Sequence, residues 1–271
     1  MALNTMFLGI PIYTFNSNPC GLCVILYNSS FEKCDYRIGA NVDVQTLSET
    51  FSKLNFKVKT EVYKSKSQMY DIIRKCGNEK DVNCFVCFIS LHGKLETVFG
   101  SDEEPLTFEE MRSAINDNDD NLLIGKPKIF FIQACQGENF LEMYNDSRDS
   151  RYLRKPDFKP ELLYLRTQDL TTALPKNADY CLSVTTTPGH HAWRNEKGTV
   201  YFQTLCRIIN NLLVTNKQKS LFNILLLLEH EMRKHLIIVS TQAENPSILK
   251  GNLCNIAFNS LREDVYFEKW R

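Results

Sequence analysis

A chain of 271 residues holds one large domain or two small ones, and 43% hydrophobic with 24% charged residues is the composition of a protein that buries a sizeable core. Lys plus Arg and Asp plus Glu both number 32, so net charge gives no reason to expect nucleic acid as a partner. The longest apolar stretches, such as residues 224–228, are far too short to span a bilayer, and residues 1–13 carry neither a basic n-region nor a small-residue cleavage site. A cytoplasmic protein without membrane contact is expected.

Ten cysteines would suit a small exported disulfide protein. Here they sit mostly inside apolar runs (Cys23, Cys84, Cys87, Cys181, Cys206), where a free thiol behaves as a small hydrophobe. Cys20-x-x-Cys23 has no second close Cys/His pair, and His190-His191 stands apart from other ligand types, so neither a metal nor a cofactor is expected.

In chain order, residues 22–27 form a short continuous apolar run, as in a buried parallel strand. Val44, Leu47, Phe51 and Leu54 then recur at helical spacing, followed by a strand over 56–63 and a helix over 65–75. Residues 84–91 read as a second buried strand. A helix over 107–115 opens with Thr107 and Glu110 spaced as a capping box, and 128–134 reads as a third core strand. The alternation predicts an α/β fold, an open, mostly parallel sheet with helices on both faces, a three-layer αβα sandwich. Residues 138–177 are charged and weakly periodic. A second part from Ala178 predicts a strand over 180–186, helices over 200–213 and 221–234, and strands over 253–258 and 264–267.

Gln133-Ala-Cys135-Gln-Gly137 directly follows the third core strand, and Ser90-Leu-His92-Gly93 ends the second, 43 residues upstream of the cysteine. Open α/β sheets place ligands at the carboxyl ends of their strands, so a thiol and an imidazole are predicted at one edge. A free thiol is only a small fraction thiolate at neutral pH. A neighbouring imidazole raises that fraction and later protonates the leaving amine. Gly93 and Cys135 are placed to offer backbone N–H groups to a developing oxyanion.

The Gln-Ala-Cys-Gln-Gly pentapeptide with its upstream histidine resembles the signature of the caspase family of cysteine proteases. Around it and the histidine motif Ser90–Gly93, further motifs stand in the family's order: Tyr13-x-Phe-x-x-x-Pro19-x-Gly21-Leu-Cys, Arg37-x-Gly39-x-x-Val42-Asp43, Gly125-Lys-Pro-Lys-Ile-Phe, Ala178-Asp-Tyr, and Thr185-Thr-Thr-Pro-Gly189 with Ala192-Trp-Arg-Asn195. The resemblance is to short-prodomain, invertebrate-like caspases and covers nearly the whole chain. It implies a short prosegment at 1–12 and a caspase domain at 13–271, divided into a large-subunit part (13–137), an activation linker (138–177) and a small-subunit part (178–271). It implies Cys135 as nucleophile, His92 as its partner, and Arg37, Gln133 and Arg194 as the residues that hold a P1 aspartate. His191 and Trp193 would line the neighbouring pockets. A zymogen is implied, cut in the linker, with Asp146-Ser147 and Asp149-Ser150 as candidate bonds. Implied partners are protein substrates with P1 Asp, a second copy in a homodimer of processed chains, a paralogous caspase in a heterodimer, and inhibitor-of-apoptosis proteins.

Several positions depart from the family's pattern. Leu91 stands where a serine commonly precedes the histidine, Ala40-Asn41 replaces Thr-Asp, Ala192 replaces a serine, and Val200 falls where a pocket tryptophan is common. These changes motivate a rival reading, a pseudo-protease that regulates an active paralogue.

Overall fold

The structure is a computed structural model that describes residues 11–28, 39–117, 121–139, 178–234, 237–239, 248–250 and 254–267. Arg37, Asp146 and Asp149, with nearly all of the expected linker, lie outside the described residues.

The first half contains β1 (Gly21–Tyr27), α1 (Ala40–Lys53), β2 (Phe56–Val62), α2 (Lys66–Cys76) and β3 (Phe85–Ser90). A small antiparallel sheet follows, made of β4 (Gly93–Lys94), β5 (Thr97–Phe99) and β6 (Pro105–Thr107). Then come α3 (Phe108–Asn116) and β7 (Lys128–Gln133). The second half has β8 (Tyr180–Val184), the hairpin β9 (Arg194–Asn195) with β10 (Gly198–Thr199), α4 (Val200–Thr215) and α5 (Leu221–Met232). It ends with the pair β11 (Ile237–Val239) and β12 (Ile248–Lys250), then β13 (Asn255–Asn259).

Six strands form the central sheet in the order β13-β8-β7-β3-β1-β2. All neighbours are parallel except β13, which runs antiparallel to β8 at one edge. The mostly parallel sheet predicted from the sequence is therefore present. Its inner strands β1, β3, β7 and β8 are buried almost throughout because helices cover both faces. Successive side chains alternate between the two covers. Cys23, Ile25, Val86, Phe88, Ile129 and Phe131 pack with Leu47 and Phe51 of α1, Leu205 of α4 and Leu228 of α5. Leu22, Val24, Cys87, Ile89, Phe130 and Ile132 pack with Met69 and Ile73 of α2 and Met111 of α3 on the other side. The edge strand β2 alternates instead, and it carries Lys57 and Lys59, which pair with Glu79, so charged side chains line this edge of the sheet.

The helices begin where the sequence predicts. Ser65 and Thr107 each close a reciprocal capping box, with Gln68 and Glu110 respectively. One predicted element is absent as a strand. Residues 264–267 make only isolated bridges, Asp264 to Ile12 and Tyr266 to Ser220. The alternation itself is real, since Val265 and Phe267 are buried and the Phe267 ring packs edge-on against Phe51 and Phe56. Period-two burial makes a strand only when a partner strand lies alongside, and here the neighbours are single residues of two loops. The short β4–β6 and β9–β10 pairs went unpredicted because two or three residues carry no readable period.

A polar junction joins the distant chain segments. Asp179, fully buried and just before β8, accepts two hydrogen bonds from Arg262 (2.8 and 3.0 Å) and one from the Tyr13 hydroxyl (2.5 Å). The Arg262 main-chain N–H donates to the same hydroxyl at 3.1 Å.

Candidate active site

The register of β3 and β7 sets the positions of His92 and Cys135. Ser90 lies opposite Gln133, and His92 and Cys135 each follow two residues later on adjacent parallel strands. Both are half-buried at the carboxyl edge of the sheet. The strands diverge at this point. Leu91 still donates to the Gln133 carbonyl at 3.3 Å, after which Gly93 turns into the β4–β5 hairpin. A Cβ at Gly93 would lie 2.4 Å from the Thr97 carbonyl oxygen and 3.0 Å from that of Cys135, so only glycine fits between them.

Gln136 fastens this hairpin to the cysteine loop. Its buried amide donates from Nε2 to the Cys135 carbonyl at 3.0 Å and accepts from the Glu96 N–H at 2.9 Å. In the sequence Gln136 is no more than one residue of the pentapeptide around the cysteine. Its bridging role depends on a hairpin that local pattern did not reveal.

Beyond β8, residues 187–192 run beside the cysteine loop. Gly189 donates to the Gln136 carbonyl and Gln136 to that of His190, each at 2.8 Å. Asn139 donates to the Gly189 carbonyl at 3.0 Å, and His191 to the Asn139 carbonyl at 2.9 Å. This ladder delivers Ala192 to the thiol. Its N–H donates to Cys135 Sγ at 3.4 Å, and its carbonyl lies 4.0 Å from the same sulfur. His191, Ala192 and Trp193, all half-buried, therefore stand beside the cysteine.

Arg194 opens β9 and is half-buried, yet its Nη1 is shielded from solvent without a hydrogen-bond partner among the described residues. Burial pulls its pKa below the usual arginine range, and the nearby Asp43 carboxylate and Cys135 oppose that shift. Gln133 is fully buried, and both of its amide atoms also lack partners among the described residues. Buried polar atoms are almost always satisfied in a folded protein, which makes these exceptions at this edge notable among the described residues. Of the expected site residues, His92, Gly93, Gln133, Cys135, His191, Trp193 and Arg194 thus gather at one sheet edge. Arg37 lies two residues before Gly39, outside the described residues.

Parallel strands that present a cysteine and a histidine at their carboxyl ends, under helices on both faces, define a cysteine-type endopeptidase of the caspase class. Comparison with known proteins agrees: the caspase-domain family matches residues 20–255, and the chain belongs to that family. It is 28% identical to caspase-7 of Gallus gallus over 94% of this chain and 79% of that one. It is 34% identical to human caspase-10 over 74% of this chain, which spans only 37% of the caspase-10 length. Among solved structures, caspase-1 from Spodoptera frugiperda superposes with a TM-score of 0.77 at 21% identity, covering 96% of both chains, which supports the shared fold.

Proposed function

We propose that this chain cleaves proteins after aspartate, with Cys135 as nucleophile and His92 as the acid–base partner. In the first step His92 takes the thiol proton and the sulfur attacks the carbonyl carbon of the P1 residue. Negative charge collects on the carbonyl oxygen, where the N–H groups of Gly93 and Cys135 receive it. The carbon–nitrogen bond then breaks and the leaving amine takes the proton from the imidazolium. Water, deprotonated by His92, hydrolyses the thioester and restores the thiol.

The observation that carries the aspartate specificity is the pair of buried groups near the thiol, Arg194 Nη1 and the Gln133 amide, that have no hydrogen-bond partner among the described residues. A guanidinium and an amide bind a carboxylate through charge-assisted hydrogen bonds, and Arg37 is the expected third member of the clamp. His191 and Trp193 flank the cysteine where neighbouring substrate side chains would lie. The fuller reading is a cytoplasmic zymogen of apoptosis or related signalling. It is activated by cleavage within 138–177 at Asp146 or Asp149, and works as a homodimer or with a paralogous caspase.

A positional-scanning peptide library tests this reading directly. Cleavage after aspartate that disappears in Cys135→Ala is the expected result. A linker-cleaved dimer that cuts none of the panel but changes a paralogue's rate makes the chain a regulator instead. Efficient cleavage after arginine, with none after aspartate, overturns the specificity.

A further inference from the structure

Asp43 lies in the first turn of α1 and is fully buried. An acidic side chain at a helix start is favourable in itself, but this one serves a distant element. Both of its oxygens accept from the Thr199 N–H, at 3.0 and 3.1 Å, and Oδ1 also accepts from Gln203 Nε2 at 2.8 Å. Thr199 is the cross-strand partner of Arg194 in the β9–β10 hairpin. Asp43 therefore holds the strand that fixes where Arg194 sits. The junction is tight. Gly39, at the helix N-cap with φ of 80°, packs so closely on the hairpin that a Cβ there would meet the Asn195 oxygen at 2.2 Å.

Charge reinforces the geometry. Burial raises the Asp43 carboxyl to about 6 even though the Gln203 amide, the Thr199 bonds and the Arg194 guanidinium pull the other way, which leaves it largely ionised at neutral pH. Its negative charge in turn opposes the loss of charge from the buried Arg194.

We infer that Asp43 is a positioning residue for substrate specificity: it anchors the β9–β10 hairpin and balances the charge of Arg194, so that the guanidinium is held ready for an incoming carboxylate. This inference rests on the proposed aspartate-binding role of Arg194. Asp43 touches no substrate itself. It acts through Thr199 and through its field at Arg194.

The test compares Asp43→Asn, Arg194→Ala and the double variant in the linker-processed chain. Asp43→Asn keeps the side-chain shape and an acceptor for Thr199 while removing the charge. With a peptide carrying P1 aspartate, it should raise KM by about tenfold and leave kcat within about twofold. A labelled P1-Asp peptide bound to the same variants in a Cys135→Ala background should lose affinity in parallel. In the Arg194→Ala background Asp43→Asn should add nothing, because the partner it serves is gone. Equal losses in both backgrounds mean a merely structural role and overturn the inference, as does an unchanged KM in Asp43→Asn alone. If Asp43→Asn does not fold, Gln203→Met, which removes one donor and keeps the charge, should raise KM about twofold to threefold, and an unchanged KM there overturns the inference. If Arg194→Ala itself leaves KM unchanged, or if the parent shows no aspartate-dependent binding, the aspartate-binding reading fails first and takes this inference with it.

Discussion

Gln133 and Arg194 hold buried polar atoms that have no hydrogen-bond partner among the described residues. On the proposed reading, an incoming carboxylate accepts from the Arg194 guanidinium and the Gln133 side-chain N–H. An isosteric neutral side chain cannot do this, because it leaves a buried guanidinium uncompensated. A peptide with P1 Asn should therefore be cut about a thousandfold or more slowly than its Asp counterpart, measured as kcat/KM. On the proposed reading, Gln133→Glu places a second carboxylate beside the position of the substrate's. KM for the P1-Asp peptide should rise about a hundredfold or more, with no comparable loss of folding stability in urea. If Gln133→Glu binds and cuts the Asp peptide as the parent does, Gln133 is not part of the clamp.

At the scale of elements, the carboxyl edge is assembled by short pieces tied to long ones. Gln136 ties β4–β5 to the cysteine loop, and residues 189–192 ladder onto 136–139. The buried Asp179 joins the start of β8 to Tyr13 at one end of the described chain and Arg262 at the other. Because β8 leads into the segment that carries His191 to Arg194, this junction also supports the site from below. Asp179→Ala removes three hydrogen-bonded contacts to one carboxylate and should lower unfolding stability by about 3 kcal/mol in urea titration. A loss below about 1 kcal/mol shows that the Arg262 pair, which is partly exposed on the arginine side, is solvated in either case.

Across the whole molecule, eight thiols share one physical state. Burial raises the pKa values of Cys20, Cys23, Cys76, Cys84, Cys87, Cys181, Cys206 and Cys254, to about 12 for Cys20, Cys76, Cys181 and Cys206. The sign follows from linkage. Below about pH 9 both folded and unfolded chains keep these thiols protonated, and they do not affect the balance. Above it the unfolded chain loses protons that the folded chain retains, so stability falls by roughly 1.4 kcal/mol per thiol for each further pH unit. Urea midpoints measured under reductant should hold steady from pH 7 to 8 and drop steeply by pH 9.5. Replacing Cys84 and Cys87 by Ala should make that drop shallower, and an unchanged slope means these thiols ionise in the folded chain.

Much of this protein is legible without coordinates. The apolar runs at 22–27, 84–91 and 128–134 determine a buried parallel sheet, because only strands covered on both faces tolerate unbroken hydrophobicity. The capping pair at Thr107 and Glu110 places the start of one helix through local hydrogen bonding alone. The cysteine and histidine motifs end adjacent strands, so even their shared edge follows from pattern. What only the tertiary structure decided is which distant groups meet there. Asp43 grips Thr199 across 156 residues, Gln136 reaches Glu96 across 40, and Ala192 meets Cys135 across 57. The predicted strand at 264–267 dissolves for the same reason: its alternation reports burial, but its partners are loops. Periodicity encodes which side of an element is covered. The identity of the covering group depends on register and packing between remote segments, and no local pattern carries that information.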